Sequence, residues 1–262
     1  MKDFIRECWR PVLAHNGLLD FDALWRLEAP WFEAPNRRRG GWSGVSRCDL
    51  SRPEGGNCGV FLKRQENHKT LSWRHPIKGI PTFLREFRLI MLYRTCGIPA
   101  LEPIYFAMRT IDGGHRAILM TEELAGFASM ESHVQAWLKN APPPAKDRRK
   151  YLEAIAALSG RIHQNRIQHN CYYPKHIFAR MNPDGRVEAR VIDLEKSRRR
   201  PFSLPCTLRD LDTLNRHAPE WSRSDRLRFL KSYLRIDRLT PYAKWLWRRL
   251  AARALAKSGT RA

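Results

Sequence analysis

The chain has 262 residues, 43% of them hydrophobic, so it can bury a core in one large domain or in two closely joined lobes. Lys and Arg number 48 against 26 Asp and Glu, and the net charge of +22 attracts polyanions such as nucleic acid, an anionic lipid surface or a phosphorylated substrate. Six scattered cysteines without a CxxC pair argue against a zinc site or a disulfide framework. The sequence shows neither a signal peptide nor a run of about 18–20 apolar residues. We therefore expect a cytoplasmic protein whose association with a membrane is at most peripheral.

The first half of the chain predicts a small β-rich lobe that contains one helix, in a first domain of residues 1–125. The segment PTFLREFRLIML (81–92) places apolar residues at helical spacing, and Gly97 ends this helix. A hinge is expected near Glu122 to Gly126. Apolar patterns bounded by Gly, Asp or Pro predict strands at 42–50, 58–65, 103–109 and 115–122.

The second half, residues 126–262, predicts a larger and mainly helical lobe. Two short strands near 176–180 and 187–192 are joined by an NPDG turn at 182–185. The fold class is therefore α+β, with two lobes. Helices are expected at 147–165, 207–217, 222–235 and 241–257.

A Gly-rich segment in the first lobe has the composition of a phosphate-binding loop. In RRRGGWSG (37–44), glycines allow backbone N–H groups to approach phosphate oxygens closely, although such a turn is usually only a hairpin turn. The candidate nucleotide-binding glycines are Gly40, Gly41 and Gly44. Arg37, Arg38 and Arg39 lie beside them and can contact an anionic acceptor.

Two charged residues of the first lobe complete a candidate nucleotide site. Lys63 follows the apolar strand GVFLKR (59–64), where a kinase lysine holds the α- and β-phosphates; taken alone, it is a solvent-facing lysine. Glu86 lies at the edge of the helical stripe and can hold Lys63 as an ion pair, or else pair with a neighbouring arginine. Glu122, at the hinge, is counted with these nucleotide-binding residues.

Two segments of the second lobe complete an order of motifs that is typical of protein kinases. HNCYYPKHIF (169–178) is a loop that enters a strand, and VIDLEK (191–196) delivers Asp193 from a strand to a loop. A carboxylate there suits Mg²⁺ that bridges β- and γ-phosphates, although an Asp at a strand end is often only a turn former. Gly-rich loop, lysine, helix glutamate, catalytic loop and metal aspartate follow in kinase order, which predicts ATP and Mg²⁺ as cofactors.

These segments, together with RDLDTLNR…RLRFLKSYL near the C-terminus, resemble the InaA branch of the bacterial lipopolysaccharide kinase (Kdo/WaaP) family. The resemblance extends from about Phe21 to Leu234. It implies a kinase-like fold, a cytoplasmic location and phosphorylation of sugars in the lipopolysaccharide inner core.

The predicted catalytic loop departs from the pattern of active kinases. His169 matches the family's His-x-Asp, but Cys171 stands where the Asp accepts the proton of the acceptor hydroxyl, and His176 replaces the second metal-binding Asn. A thiol is a poor substitute for a carboxylate, so a slow enzyme is expected, because phosphoryl transfer depends mainly on positioning and charge neutralisation. Lys175 can supply charge to the phosphoryl group and Asn170 can orient the acceptor. A nucleophilic Cys–His pair is a less favoured reading than an inert buried thiol.

The C-terminal quarter concentrates the positive charge. Residues 197–262 hold 17 Lys or Arg and 5 Asp or Glu, which leaves +12 (17 − 5). The arginine run 198–200 can contact acceptor phosphates. The helix at 241–257 carries an apolar stripe flanked by cations, so it either packs on the large lobe or lies in an anionic leaflet. The stripe consists of Trp247, Leu250, Ala251, Ala254 and Leu255.

The sequence therefore predicts an ATP-dependent phosphotransferase for lipopolysaccharide core sugars at the cytoplasmic face of the inner membrane. The alternative is a nucleotide-binding pseudokinase that regulates or scaffolds an envelope pathway. A nucleic-acid-binding protein is a third reading, but no RNP motif, zinc spacing or heptad-linked basic region supports it. Expected partners are a core precursor or another anionic glycan and inner-leaflet lipid, with no specific nucleic acid.

Overall fold

The computed structural model describes residues 2–38, 40–72 and 75–258. Within them the chain forms two compact units. The first unit runs up to Arg94 and includes Leu101–Ala125, and the second unit comprises Thr95–Ala100 and the chain from Gly126 onward. Arg39, which the sequence placed beside the Gly-rich loop, lies outside the described residues.

The described part of the first unit is built on an antiparallel sheet whose six strands run in the order β1–β7–β8–β4–β3–β2, with a separate hairpin of β5 and β6. The strands are β1 (Phe4–Ile5), β2 (Trp31–Arg38), β3 (Gly41–Ser51), β4 (Asn57–Glu66), β5 (Lys69–Ser72), β6 (His75–Pro81), β7 (Pro103–Ile111) and β8 (Gly114–Glu122). Ser46, Cys48 and Leu50 of β3 are buried at alternate positions, as expected for a sheet with one face on the core. The four predicted strands are confirmed as β3, β4, β7 and β8.

Three helices belong to this part of the chain, two more than the sequence predicted: α1 (Arg10–His15), α2 (Phe21–Arg26) and α3 (Thr82–Thr95). The first two have six residues each, too short to show a clear period, and they are held by packing. Leu13 and Leu24 are fully buried in one cluster with Leu62 and Tyr105 of the sheet. The predicted helix is confirmed as α3, and Gly97, with φ +62°, follows its end.

The described second unit is mainly helical. Its helices are α4 (Met130–Lys139), α5 (Ala145–Gln164), α6 (Ser203–Arg216), α7 (Arg223–Leu234) and α8 (Pro241–Ser258). Its strands are β9 (Ala128–Ser129), β10 (Ile167–Gln168), β11 (Ile177–Met181), β12 (Val187–Val191) and β13 (Arg198–Arg199).

Two small sheets of the second unit set the position of the site loops. Strands β12, β11 and β9 form one sheet, and β10 pairs with β13 in another. The turn Asn182–Gly185 closes the β11–β12 hairpin: the N–H of Gly185 donates to the carbonyl of Asn182 at 2.9 Å. The four predicted helices and both strands are confirmed, whereas α4 was not predicted. In the described residues, no helix is both long enough and apolar enough to span a membrane.

Candidate active site

An ion pair in the first unit joins the two residues that the sequence singled out. Lys63 Nζ lies 2.5 Å from Glu86 Oε1, and Glu86 is only 3% exposed. Strand β4 presents Lys63, and α3 presents Glu86 beside the apolar stripe that buries Phe83, Phe87 and Ile90. The predicted ion pair is confirmed, while its role toward a nucleotide stays a prediction.

The three glycines of the Gly-rich segment lie at the start of β3: Gly40 directly precedes the strand, and Gly41 and Gly44 belong to it. Gly40 has φ +74°, a conformation that L-residues rarely adopt. A Cβ on Gly41 would overlap the backbone of Glu66 and Asn67, and one on Gly44 would overlap the Trp31 ring. These two glycines therefore have packing functions, and their predicted phosphate contacts stay untested.

Glu122 ends β8, and its carboxylate binds the N-terminal segment. Oε1 accepts hydrogen bonds from Arg6 Nη1 and Trp9 Nε1, both at 2.6 Å. Both donors lie more than a hundred positions away along the chain. No local sequence pattern could therefore predict these hydrogen bonds. The side chain predicted to bind nucleotide thus ties the segment before α1 to the sheet.

In the second unit, a buried aspartate of α6 accepts hydrogen bonds from the backbone of the candidate catalytic loop. Asp210 is 0% exposed; its Oδ2 accepts the backbone N–H of His169 at 2.7 Å, and its Oδ1 accepts that of Asn170 at 3.0 Å. His163 of α5 contacts Oδ2 at 3.4 Å and the Tyr233 hydroxyl at 2.9 Å. The loop backbone is thereby held by a carboxylate, in addition to the β10–β13 pairing directly before it.

The His169 ring is buried inside the loop and fixes its shape. Nε2 lies 3.0 Å from the Ile192 carbonyl and must donate, while Nδ1 accepts the N–H of Cys171 at 3.2 Å. These contacts require the neutral tautomer with its proton on Nε2. Burial lowers the pKa of His169, and the nearby Asp210 only partly opposes this effect. His169 therefore acts as a structural link between the loop and the Asp193 strand.

Asn170 holds the loop in an unusual conformation. Its φ is +66°, its Nδ2 donates to the Lys196 carbonyl at 2.8 Å, and its Oδ1 accepts from Gln168. Asp193 also has positive φ, at 58°. Left-handed residues that are held by their surroundings concentrate at functional sites. The predicted acceptor-orienting role of Asn170 stays open.

The Cys171 thiol is buried beside two charged side chains. Burial raises its pKa, the Asp193 carboxylate raises it further, and Lys196 opposes the effect. The pKa of Lys196 is raised in turn, first by its interaction with Cys171 and also by Asp193. At neutral pH the loop therefore presents a neutral thiol next to an ammonium group, and it offers no carboxylate at that position.

Asp193 and His176 form the candidate metal position. His176 Nδ1 lies 2.8 Å from the Cys171 carbonyl, to which it must donate, and 3.4 Å from Asp193 Oδ2. The Asp193 side chain is 30% exposed and accessible to an ion. Among the described residues no group of three His, Cys, Asp or Glu side chains clusters as a metal site. Mg²⁺ is commonly bound by one or two carboxylates, with water and phosphate completing its shell.

Other basic residues of the region have varied surroundings. Lys175 is exposed on the short 3₁₀ turn Pro174–His176. Arg198 and Arg199 form β13 opposite β10, and Arg200 Nε donates to Gln168 Oε1 at 2.7 Å. Two members of the arginine run therefore hold the base of the loop through their backbone.

Asp210 and Lys196 belong to the site but were not predicted from the sequence. Asp210 sits in RDLDTLNR, where alternating charges suggest a solvated face; only its position on the buried side of a helix packed under the loop reveals its role. Lys196 follows Asp193 by three residues, and the VIDLEK motif could have drawn attention to it. Its interaction with Cys171 joins two segments that are separate in the sequence.

The antiparallel sheet with its Lys–Glu pair, followed by a helical unit carrying the His-x-Cys loop and the Asp193 loop, defines a protein-kinase-like fold. The model of the lipopolysaccharide kinase (Kdo/WaaP) family matches residues 22–233, and the chain belongs to that family. The resemblance inferred from the sequence is thus confirmed, as is the fold class.

Relatives of known identity agree with this assignment. Protein InaA of Escherichia coli is 34% identical over 183 residues, which are 69% of this chain and 80% of that protein. Lipopolysaccharide core heptose(I) kinase WaaP of Pseudomonas aeruginosa is 27% identical over 235 residues, 84% of this chain and 82% of that protein. A solved structure described as WaaP in complex with acyl carrier protein has a TM-score of 0.65 at 23% identity, covers 97% of this chain and 99% of that one, and is similar in fold.

Proposed function

We propose that this chain is an ATP-dependent kinase that phosphorylates a sugar hydroxyl of the lipopolysaccharide core. The observation that carries the proposal is the ion pair between the largely buried Lys63 and the buried Glu86. Desolvating two charges costs about as much as their attraction returns, so such a pair is weak as a stabilising device. A kinase requires it, because the carboxylate fixes the ammonium group that binds the α- and β-phosphates.

The nucleotide role is assigned to Lys63, and the metal role to Asp193 and His176. Lys63 binds phosphate oxygens, and Asp193 provides the carboxylate for Mg²⁺, with His176 Nε2 as a further candidate ligand. Bound Mg²⁺ neutralises the charge that develops on the transferring phosphoryl group. The hydrogen bonds of His169 and Asp210 hold the Asp193 strand end and the loop in one arrangement.

The acceptor side of the reaction works without a carboxylate base. Because Cys171 is neutral, the acceptor hydroxyl keeps its proton until late in the phosphoryl transfer or releases it to solvent. A loose transition state permits this. The Lys196 ammonium, beside Cys171 and Asp193, is a candidate for stabilising the transferred group, as is exposed Lys175. General base help is worth roughly 10²–10⁴-fold, so we expect slow turnover.

The acceptor class and location rest on the family. WaaP of Pseudomonas aeruginosa is a core heptose(I) kinase, so a heptose of the inner core is the first acceptor to test. Core sugars carry phosphates and acidic groups, for which a net charge of +22 is favourable. We place the reaction at the cytoplasmic face of the inner membrane.

A second candidate is a nucleotide-binding pseudokinase. The raised pKa of the buried Cys171 thiol favours it, because a neutral thiol cannot replace the carboxylate of an active loop. Both candidates bind Mg-ATP, and only the kinase transfers phosphate.

The test is a thermal-shift titration with Mg-ATP on wild type, Lys63→Ala and Asp193→Asn, followed by phosphate transfer to dephosphorylated core oligosaccharide. A shift that grows with the logarithm of ligand concentration, in the wild type only, supports the nucleotide site. Transfer separates kinase from pseudokinase. Absence of any shift at millimolar Mg-ATP rejects both candidates. Arg88→Ala, on the exposed side of α3, is the matched control and should shift like the wild type.

A further inference from the structure

The outward side of α8 carries two aromatic and three cationic side chains. Tyr242 and Trp245 are 48% and 42% exposed, and their ring centroids lie 5.7 Å apart in a stacked pair. The cations, which are also exposed, are Lys244, Arg248 and Arg249. At 3.6 residues per turn these five positions share one side of the helix. This set is called the α8 cationic face, and α8 contains no Asp or Glu.

The opposite side of α8 contains the residues that pack against the rest of the second unit. Ala243 and Leu246 are fully buried. Trp247, Leu250 and Ala254, members of the apolar stripe predicted from the sequence, line a cavity of about 1090 Å³ together with residues of α6 and α7. Of the five stripe residues, Trp247, Leu250 and Ala254 are half-buried on this side, whereas Ala251 and Leu255 are exposed.

We propose that the α8 cationic face docks the protein on an anionic lipid bilayer. Tyr and Trp place an apolar ring and a polar tip at the headgroup level, and Lys and Arg beside them contact lipid phosphates. Lys and Arg can bury their aliphatic stems in an apolar surface while their charged ends stay in water. This docking surface rests on the membrane location given in the proposed function, but it does not depend on phosphoryl transfer.

The composition of the face favours lipid over nucleic acid. Nucleic-acid platforms stack bases on free ring faces, whereas Tyr242 and Trp245 cover one face of each other at an interplanar angle of 24°. Leu239, just before the helix, is 38% exposed and aliphatic. Such a side chain gains from hydrocarbon and gains little from a phosphate backbone.

The experiment is co-sedimentation of the full chain with phosphatidylcholine vesicles, with and without phosphatidylglycerol. We expect binding only to the anionic vesicles. The triple variant Lys244→Gln, Arg248→Gln, Arg249→Gln should lose about fivefold in affinity per cation removed. The variant Tyr242→Ser, Trp245→Ser should bind several-fold more weakly while keeping the salt dependence of the wild type. Circular dichroism and the urea midpoint confirm that each variant is folded.

A matched control separates this face from the general positive charge. Lys139→Gln, Arg149→Gln, Arg186→Gln removes one lysine and two arginines from other exposed positions of the second unit. Equal losses in the two triple variants would reduce the effect to net charge and overturn the proposal. It is overturned as well if the α8 variants lose DNA binding in a gel shift but keep vesicle binding. Transfer to soluble oligosaccharide without vesicle binding leaves the proposed function standing and rejects only the docking surface.

Discussion

The carboxylate of Asp210 accepts the backbone N–H of His169 at 2.7 Å from inside α6, where neither group meets solvent. A second oxygen of the same carboxylate accepts the N–H of Asn170. Two consecutive backbone donors of the loop are therefore satisfied by one charged side chain, which makes the loop conformation dependent on a helix that lies 40 residues away in sequence.

Replacing Asp210 with Asn should destabilise the protein and loosen the loop. The Asn amide has only one acceptor oxygen, so its NH₂ group would face one of the two backbone N–H donors. Hydrogen bonds to a charged acceptor are each worth about 1.5–3 kcal/mol. We expect a loss of about 3 kcal/mol in the free energy of unfolding, measured by urea titration. Asp184→Asn in the exposed β11–β12 turn is the control and should change little. Equal stability of Asp210→Asn and wild type would contradict the assigned role.

Stability should fall as the pH is lowered through the range where histidine titrates. Burial lowers the pKa of His169 in the folded state, so the unfolded chain, with a pKa near 6.5, binds the proton more readily. The contribution of neutral His169 is complete above the unfolded pKa. It is lost as the pH falls from about 6.5 toward the folded pKa.

The measurement is the urea midpoint between neutral and mildly acidic pH. The variant His169→Gln should be less stable at neutral pH and should show a shallower decline, because Gln does not titrate. A variant that declines as steeply as the wild type would assign the pH dependence to other groups.

Much of the fold was predictable because its main elements follow simple periods. Alternating burial in β3 and the apolar stripe of α3 are local patterns, and each gave the correct element. The six-residue helices α1 and α2 were missed, since they form by packing onto the sheet and carry too few turns to show a period.

The sequence motifs led to the Lys63–Glu86 ion pair, but contacts that depend on tertiary packing were missed. Lys63 and Glu86 stand at characteristic places in a strand and a helix, and their ion pair is present. Glu122 binds Arg6 and Trp9, and Asp210 binds the loop, through contacts that join distant segments. Contacts between distant segments leave no pattern in a single sequence from which they could be predicted.

The Lys63–Glu86 pair should show strong coupling. Glu86→Gln leaves the Lys63 ammonium largely buried without a partner, and removal of one member of such a pair costs about 3 kcal/mol. Lys63→Met should cost a similar amount, and the double variant should cost less than the sum, by about 1–3 kcal/mol in a double-mutant cycle. Additive single effects in urea unfolding would show that the two side chains do not interact in solution.

Cys171 should resist alkylation at neutral pH. Its thiol is buried and has a raised pKa, whereas Cys8 is exposed. Because the thiolate is the nucleophile, iodoacetamide should modify Cys8 far faster than Cys171, as followed by peptide mass spectrometry. Modification of Cys171 should accelerate only at alkaline pH. Comparable rates at the two positions would mean that the thiol is accessible or ionised and would revive the nucleophile hypothesis.

Cys171→Asp should increase phosphoryl transfer. The new carboxylate would stand beside the Lys196 ammonium, which favours its charged form, and beside Asp193, which opposes it. As a general base it should raise the transfer rate roughly 10²–10⁴-fold, measured as initial phosphate transfer to core oligosaccharide. Cys171→Ser tests whether any polar group suffices and should stay near the wild-type rate. If Cys171→Asp binds Mg-ATP as the wild type does but gains no rate, position 171 is not where the acceptor proton is taken, and the slow step lies elsewhere in the loop.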